Sequence, residues 1–477
     1  MKVNHHLLPR TLSFAFLVFF IWSCKPAAEP TVKESSPLFD YVLADDSEFK
    51  YEIVHTLKKD HYTYYVMRMT SQQWLTTTQV NETEWWHWVS MVVPDQYTYN
   101  TGMMWIGGGS KDDALPTAPD SLILTISDTT RSVVALVHNI PFQPLAFKDD
   151  SLNNRYEDAI IAYGWRKFME GGAKDEDAIW LSRLPMTNAV MAAMDVVQEV
   201  IKKNNHTEIK NFVVAGASKR GWTTWITGAV DKRVVAIVPV VIDLLNVVPS
   251  FRHHWRSYGF WAPAVGDYVS EGIMEWQGSK EYARLLEIAE PYSYKEKYTM
   301  PKLLINAAGD EFFLPDSWKF YWNDLPGEKH VQYVPNFGHD VSKSDALQNL
   351  TAFYASVLDK TPRPSYTWEL AGDIFKIKTD LTNKPSSIKL WQAHNPEKRD
   401  FRIDIFGPGW TSTDVPLKDN GMYEISLAVP EKGWKGYFVE ITWPGKIPFK
   451  ITTGVEVLPE TYPYGPFVSA NPKGTME

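Results

Sequence analysis

Apolar and polar positions along the chain fall into two regimes. Between about residues 101 and 358 the apolar residues come in short, nearly continuous runs, at 101–106, 132–138, 212–215, 234–242, 302–308 and 329–334. Such runs suit strands buried on both faces of a parallel sheet. Stretches with helical character separate them, at 120–131, 156–168, 186–203, about 221–230, 315–323 and 342–358. Pro185 before the third of these and Lys202-Lys203 at its end are ordinary helix punctuation. Strand alternating with helix predicts a mostly parallel α/β sheet, with its ligand site at the carboxyl ends of the strands. Upstream, 51–57, 64–69 and 84–94 read as further strands, the first two joined as a hairpin by polar residues 58–61.

Two stretches break this rhythm. Residues 243–300 are long, aromatic-rich and helical in character, and an insertion between two core strands predicts a cap over the site. After Pro362-Arg363-Pro364, the segments 366–370, 375–379, 387–393, 423–429 and 436–443 alternate at turn-marked intervals. That pattern predicts an all-β, immunoglobulin-like sandwich, which serves either to pack against the first domain or to bind a sugar or cell surface.

At the N-terminus, Lys2 and Arg10 precede an apolar run at 12–22, too short to span a membrane comfortably and shaped like a signal-peptide core. It ends in Ile21-Trp22-Ser23-Cys24, and Cys24 is the chain's single cysteine. This resembles a bacterial lipoprotein signal, although Trp22 departs from the usual residue there; the alternative is a plain signal peptide with an incidental cysteine. The expectation is a cell-envelope protein held to the membrane by a lipid anchor at Cys24. One cysteine also leaves no internal disulfide, so the core alone must hold the fold.

At 477 residues, with 44% hydrophobic and 22% charged residues, the chain has room for two packed domains. A net charge of -9 argues against nucleic acid as a partner, since phosphate binding needs a basic face. The 20 tryptophans serve either a large core or an aromatic, sugar-stacking cleft.

The candidate chemistry centres on Gly216-Ala217-Ser218-Lys219-Arg220-Gly221, which follows the apolar run at 212–215 and precedes a helix-compatible stretch. Strand, tight turn, serine and helix form the context of a nucleophile elbow, here spaced G-x-S-x-x-G; a capping serine in a plain βα turn is the alternative. The strand at 101–106 runs into Gly107-Gly108-Gly109, where backbone N–H groups can approach a ligand. Gly108 or Gly109 together with the Lys219 N–H would make an oxyanion hole. Asp310 follows the run at 302–308, and His339 follows the last strand. Serine, acid, histidine at successive strand ends is the chain order of α/β-hydrolases. His339 would take the Ser218 proton and Asp310 would orient the imidazole; Asp243, Glu311 and Asp316 compete for the acid's role. Lys219 and Arg220 either attract an anionic substrate or only pair with surface acids. The adjacent His253-His254 point to different faces and lack a metal-ligand spacing, so no metal and no cofactor are implied.

The set Trp180-Leu181-x-Arg183-Leu184-Pro185-Met186, Gly216-Ala217-Ser218-Lys219-Arg220-Gly221-Trp222, Gly309-Asp310-Glu311-Phe312-Phe313-x-Pro315-Asp316 and Leu325-Pro326-Gly327, followed by Val334-Pro335-Asn336 and His339, resembles the PhoPQ-activated pathogenicity-related proteins. The resemblance covers about residues 40–460. It implies an exported α/β-hydrolase-fold protein, distantly similar to prolyl-oligopeptidase and dipeptidyl-peptidase catalytic domains, and says little about the reaction. The expected organisation is a signal peptide at 1–24, a tether at 25–37, an α/β-hydrolase domain at 38–362 with its cap at 243–300, a sandwich at 363–460 and a tail at 461–477. The functional expectation is a serine hydrolase cleaving an ester or peptide bond through an acyl-serine, on a small-molecule, peptide or glycan ester substrate. No glutamate pair that would grip a free amino terminus is identifiable. The reading from another class is a non-catalytic envelope or virulence-associated interaction protein on a hydrolase scaffold.

Overall fold

In the computed structural model of the protein the described residues are 36–44 and 47–476, together with Met1. The expected signal segment, Cys24 and nearly all of the tether lie outside them. Among the described residues no helix is long and apolar enough to cross a membrane.

The strands of the main sheet are β1 (Lys50–Lys58), β2 (Tyr62–Gln73), β3 (Glu84–Pro94), β4 (Thr101–Ile106), β5 (Val134–Val137), β6 (Asn211–Ala217), β7 (Val234–Val240), β8 (Lys302–Ala307) and β9 (Lys329–Val334). Their spatial order is β1-β2-β3-β5-β4-β6-β7-β8-β9. The pairings among β1, β2, β3 and β5 are antiparallel, and those from β5 through β4 to β9 are parallel. This is the α/β-hydrolase arrangement. Alternate residues of the central strands feed two cores, as a period of two requires. Met104, Val214, Ile237 and Leu304 join one apolar cluster, whereas Met103, Val213, Ala236 and Leu303 join the other.

The helices are α1 (Pro37–Val42), α2 (Ser121–Thr130), α3 (Asp158–Glu170), α4 (Arg183–Lys203), α5 (Lys219–Val230), α6 (Val247–Tyr258), α7 (Gly266–Ser270), α8 (Lys280–Ala289), α9 (Ala346–Leu358) and α10 (Ile403–Phe406). Helices α3, α4 and α5 cover the first cluster, with Trp165, Val197 and Trp225 in it. Ile123 of α2 and Phe353 of α9 belong to the second. Helices α6 to α8, with short 3-10 turns between them, lie between β7 and β8, where the sequence rhythm breaks.

One predicted helix does not form. Residues 315–323 instead make two 3-10 turns, Ser317–Phe320 and Trp322–Asp324, separated by Tyr321 at φ -143. Tertiary partners win over local propensity here: Asp316 is drawn to Arg399 and His253, and the Tyr321 hydroxyl donates to Asp243.

The C-terminal part holds two antiparallel sheets. One contains β10 (Tyr366–Ala371), β11 (Ile374–Thr379) and β14 (Met422–Ser426). The other contains β12 (Ser387–Asn395), β13 (Thr411–Asp414), β15 (Trp434–Trp443), β16 (Phe449–Thr452) and β17 (Glu456–Leu458). Phe375 and Tyr423 of the first sheet share a core with Ile388, Val439 and Ile451 of the second. The sandwich covers the β9 edge of the main sheet: the Tyr333 N–H donates to Thr452 Oγ1 at 3.0 Å, and Asn349 exchanges two bonds with the Lys450 backbone. Covering an edge strand removes a site for unwanted pairing.

Two segments leave the sandwich and return to the first domain. Between β12 and β13, the Arg399 guanidinium reaches Asp316 and Ser257. Beyond β17 the chain runs across the cap. Phe467 packs its ring on Trp255 and Trp261, Tyr462 meets His253, and the Lys280 N–H donates to the Thr475 carbonyl.

Candidate active site

Ser218 stands between β6 and α5 with φ 59 and ψ -127, a backbone conformation that an L-residue adopts only where its surroundings enforce it. The Ser218 N–H donates to the Val240 carbonyl at 2.8 Å, and its own carbonyl accepts from Trp222 N–H at 3.0 Å. The small neighbours predicted around it have a steric cause. A Cβ on Gly216 would lie 2.8 Å from the Arg220 carbonyl oxygen, and one on Gly221 would lie 3.0 Å from those of Gly216 and Val240. Helix α5 begins at Lys219, two residues before the expected start, so the Lys219 N–H belongs to an uncapped first turn. Gly216→Ala is expected to destabilise the fold by about 1–3 kcal/mol, the usual cost of overpacking. A urea midpoint that does not move would show that the elbow relaxes freely.

Strand register sets the glycine loop beside the serine. Ile106 of β4 pairs with Gly216 of β6, so Gly108 and Ser218 are each the second residue beyond that pair. The Gly108 carbonyl accepts from Asn139 N–H and the Gly109 carbonyl from Gln143 Nε2, which fixes the loop from its carbonyl side. Gly109 has φ 122, a conformation that favours glycine, and a Cβ on Gly108 would sit 2.7 Å from Arg220 Nη2 and displace that side chain.

Asp310 and His339 follow β8 and β9, strands paired up to Ala307 and Val334. Their side chains meet: His339 Nδ1 lies 2.9 and 3.1 Å from the two Asp310 carboxylate oxygens. Asp310 is buried and accepts the Phe312 N–H at 2.8 Å, which holds its carboxylate in the turn. Burial disfavours the charged imidazole, but the Asp310 carboxylate outweighs it and raises the His339 pKa above its ordinary 6.5. His339 Nε2 is buried and has no hydrogen-bond partner. The Phe312 and Phe313 rings lie 4.3 and 6.0 Å from the imidazole, and both also wall the cavity that Ser218 lines.

The competing acids sit elsewhere. Asp243 accepts the hydroxyls of Tyr321 and Tyr333 at 2.5 Å each, and burial pushes its carboxyl up to about 8. Glu311 accepts the His339 backbone N–H at 2.6 Å rather than its ring. Asp316 is tied to His253, Lys319 and Arg399. His254 Nε2 accepts the Ala262 N–H, so the two adjacent histidines have separate structural partners. The segment returning from the sandwich braces both loops. The Ile403 N–H donates to the Gly309 carbonyl, and Asn336 exchanges two bonds with the Trp410 backbone.

Sequence reasoning left two alternatives open for the Lys219 and Arg220 side chains and gave Arg183 no role. Lys219 Nζ reaches Glu157 at 2.9 Å and Asp158 at 3.0 Å, and Arg220 reaches Glu157 at 2.5 Å. These cations hold the Glu157 carboxyl down to about 2 against the opposing effect of burial. The two basic residues of the elbow therefore pair with acids of the protein itself. Arg183, legible in the sequence only as one letter of a motif, is buried and lines the Ser218 cavity. That cavity has about 30 Å³ of room, enough for water and too little for a substrate, so any substrate must displace part of its wall.

Over 460 residues the chain is 36% identical to the autocrine proliferation repressor protein A of Dictyostelium discoideum, covering 90% of this chain and 92% of that protein. Among solved structures, it is similar to acetyl xylan esterase 1 from Thermoanaerobacterium sp. JW/SL YS485, with a TM-score of 0.44 and 12% identity over 68% of this chain and 91% of that one. An acetyl xylan esterase from Paenibacillus sp. R4 gives 0.46 and 11%, over 67% and 92%. Residues 38–402 match the model of the PhoPQ-activated pathogenicity-related proteins. With the elbow, the acid turn and the histidine loop all inside that match, the chain belongs to the PhoPQ-activated pathogenicity-related protein family.

Proposed function

We propose that the protein is a serine hydrolase that cleaves an ester or peptide bond through an acyl-serine intermediate. The observation that carries this reading is the Asp310–His339 pair at 2.9 Å, joined through the Phe312 and Phe313 rings to the cavity of a serine held at φ 59 on a strand-to-helix turn. Ser218 Oγ attacks the carbonyl carbon while His339 Nε2 accepts its proton. Asp310 holds the other ring nitrogen as the donor and stabilises the imidazolium. The oxyanion is received by the Lys219 N–H and by Gly108 or Gly109. His339 then passes its proton to the leaving group, and water releases the acyl group by the reverse roles.

A fluorophosphonate probe is expected to label the wild-type protein stoichiometrically and to fail with Ser218→Ala. A folded protein that stays unlabelled, including after the cap is loosened by mutation, would favour a non-catalytic interaction protein. The base must be neutral, so kcat/KM should rise with pH through the His339 pKa, with its acid limb above pH 6.5. Asp310→Asn removes the larger of the two carboxylates that raise this pKa and leaves Glu311 alone against burial and Lys219, so the limb should move to lower pH. An unmoved limb would mean that Asp310 does not set the titration.

We further propose an envelope location through a lipid anchor at Cys24, supported by the residues that precede it. Cys24→Ala should then shift the protein from the membrane to the soluble fraction of fractionated cells.

A further inference from the structure

The charged residues around Ser218 are unequally provided for. Lys219 has Glu157 and Asp158 at ion-pair distance, and Arg220 has Glu157. Asp158 also accepts the Tyr268 hydroxyl at 3.0 Å. Arg183 is 2% exposed and has no carboxylate within 4 Å among the described residues. Its Nη1 donates to the Lys219 carbonyl at 2.7 Å, its guanidinium lies 4.8 Å from the centre of the Trp222 ring, and its Nε has no partner. The Tyr268 hydroxyl and, beyond ion-pair distance, the Asp158 carboxylate also favour its charge, yet a buried cation without a carboxylate in direct contact is costly, because these groups do not replace the water it has lost. Desolvation accordingly lowers its pKa. Arg183 lines the same cavity as Ser218, together with the ion-paired Asp158 and Lys219 and apolar walls that include Trp165, Phe251 and Phe312.

We propose that Arg183 is a specificity-determining residue that receives a carboxylate of the substrate, so that the substrates are esters or peptides carrying a carboxylate on an apolar body beside the scissile carbonyl. This rests on the serine-hydrolase reading of the same site. The guanidinium offers the planar fork that matches a carboxylate, and an anion there completes a pairing the protein leaves open. The aromatic walls take the apolar body. Substrate entry displaces wall residues from the cap, since the cavity is too small for such a group. Lysine at position 183 would keep the charge and lose the fork.

The test uses binding by the full-length Ser218→Ala protein, which needs no turnover, and compares 3-phenylpropanoate with its neutral isostere 3-phenylpropanamide by calorimetry. The carboxylate is expected to bind at least about tenfold more tightly, which corresponds to about 1.4 kcal/mol. Adding Arg183→Gln should erase the difference, and Arg183→Lys should leave part of it. A packing role alone would weaken both ligands together and leave their ratio unchanged. Equal binding of the pair, a preference that persists in the glutamine variant, or no binding of the carboxylate at millimolar concentration would overturn the assignment. Fluorophosphonate labelling of the wild-type serine decides the hydrolase reading separately, and labelling of Arg183→Gln shows whether its elbow is intact.

Discussion

His339→Ala is expected to lower kcat by about 10⁴–10⁶ while leaving the protein folded, the scale seen when one member of a nucleophile–base pair is removed. The imidazole has one nitrogen on a buried carboxylate and the other buried and unpartnered, against the Phe312 and Phe313 rings that wall the serine cavity. In the proposed mechanism, its loss would leave the Ser218 hydroxyl without an acceptor for its proton at neutral pH, and the oxyanion donors would act on a nucleophile that barely forms. Because members of such a unit act together, the Ser218→Ala/His339→Ala double variant should be little slower than either single variant. Multiplicative losses, or a His339→Ala protein with more than a tenth of wild-type activity, would mean that the base is another group. The change should cost little stability, since the side chain is one-fifth exposed and stands on a loop that the Glu311 carboxylate holds through the backbone N–H.

The largest stability effect is expected at Asp316. Its carboxylate is fully buried and contacts Arg399 at 2.5 Å, His253 at 2.7 Å and Lys319 at 2.9 Å. Burial alone would push that carboxyl up, but Arg399, His253 and Lys319 together hold it well below the usual range. Asp316→Ala leaves the Arg399 guanidinium, itself 2% exposed on its side chain, buried with no counter-charge, which costs about 3–5 kcal/mol. Lys319→Met removes the most exposed of the three partners and should cost less than about 1 kcal/mol. Urea unfolding of both variants separates the two cases, and similar midpoints would show that the charge on Arg399 is served elsewhere. The folded-state pKa lies below the unfolded 3.8, so this stabilisation is present above pH 3.8 and is lost as pH falls through the folded value. Arg399 also carries the segment whose Ile403 N–H reaches the Gly309 carbonyl, so loosening it should be felt at the neighbouring Asp310.

What could be read in advance follows from how local each signal is. The strand–serine–helix unit was legible because its requirements are steric and adjacent in sequence: an apolar run, then Gly216, Ser218 and Gly221. Asp310 stood out by its place after a strand, but its rivals Asp243, Glu311 and Asp316 were set aside only by partners distant in the chain, such as Tyr333 and Arg399. The failed helix at 315–323 has the same origin, since its spacing says nothing of the groups that pull Asp316 and Tyr321 inward. The pairing of Lys219 and Arg220 with Glu157 and Asp158, and the isolation of Arg183, arise where α3, α4 and α5 converge. No single stretch of sequence contains that convergence.

The segment beyond β17 carries a consequence for how the molecule is made. The ring of Phe467 that packs on Trp255 and Trp261, and the Thr475 carbonyl that receives the Lys280 N–H, are synthesised about two hundred residues after the cap positions they meet. Domains otherwise form from the N-terminal end as synthesis proceeds. A nascent chain stalled short of Tyr462 therefore already contains Ser218, Asp310 and His339, yet its cap still shows bare tryptophan faces. Cap maturation waits for this segment, so quality control that senses exposed aromatic surface can tell a molecule that carries it from one that does not.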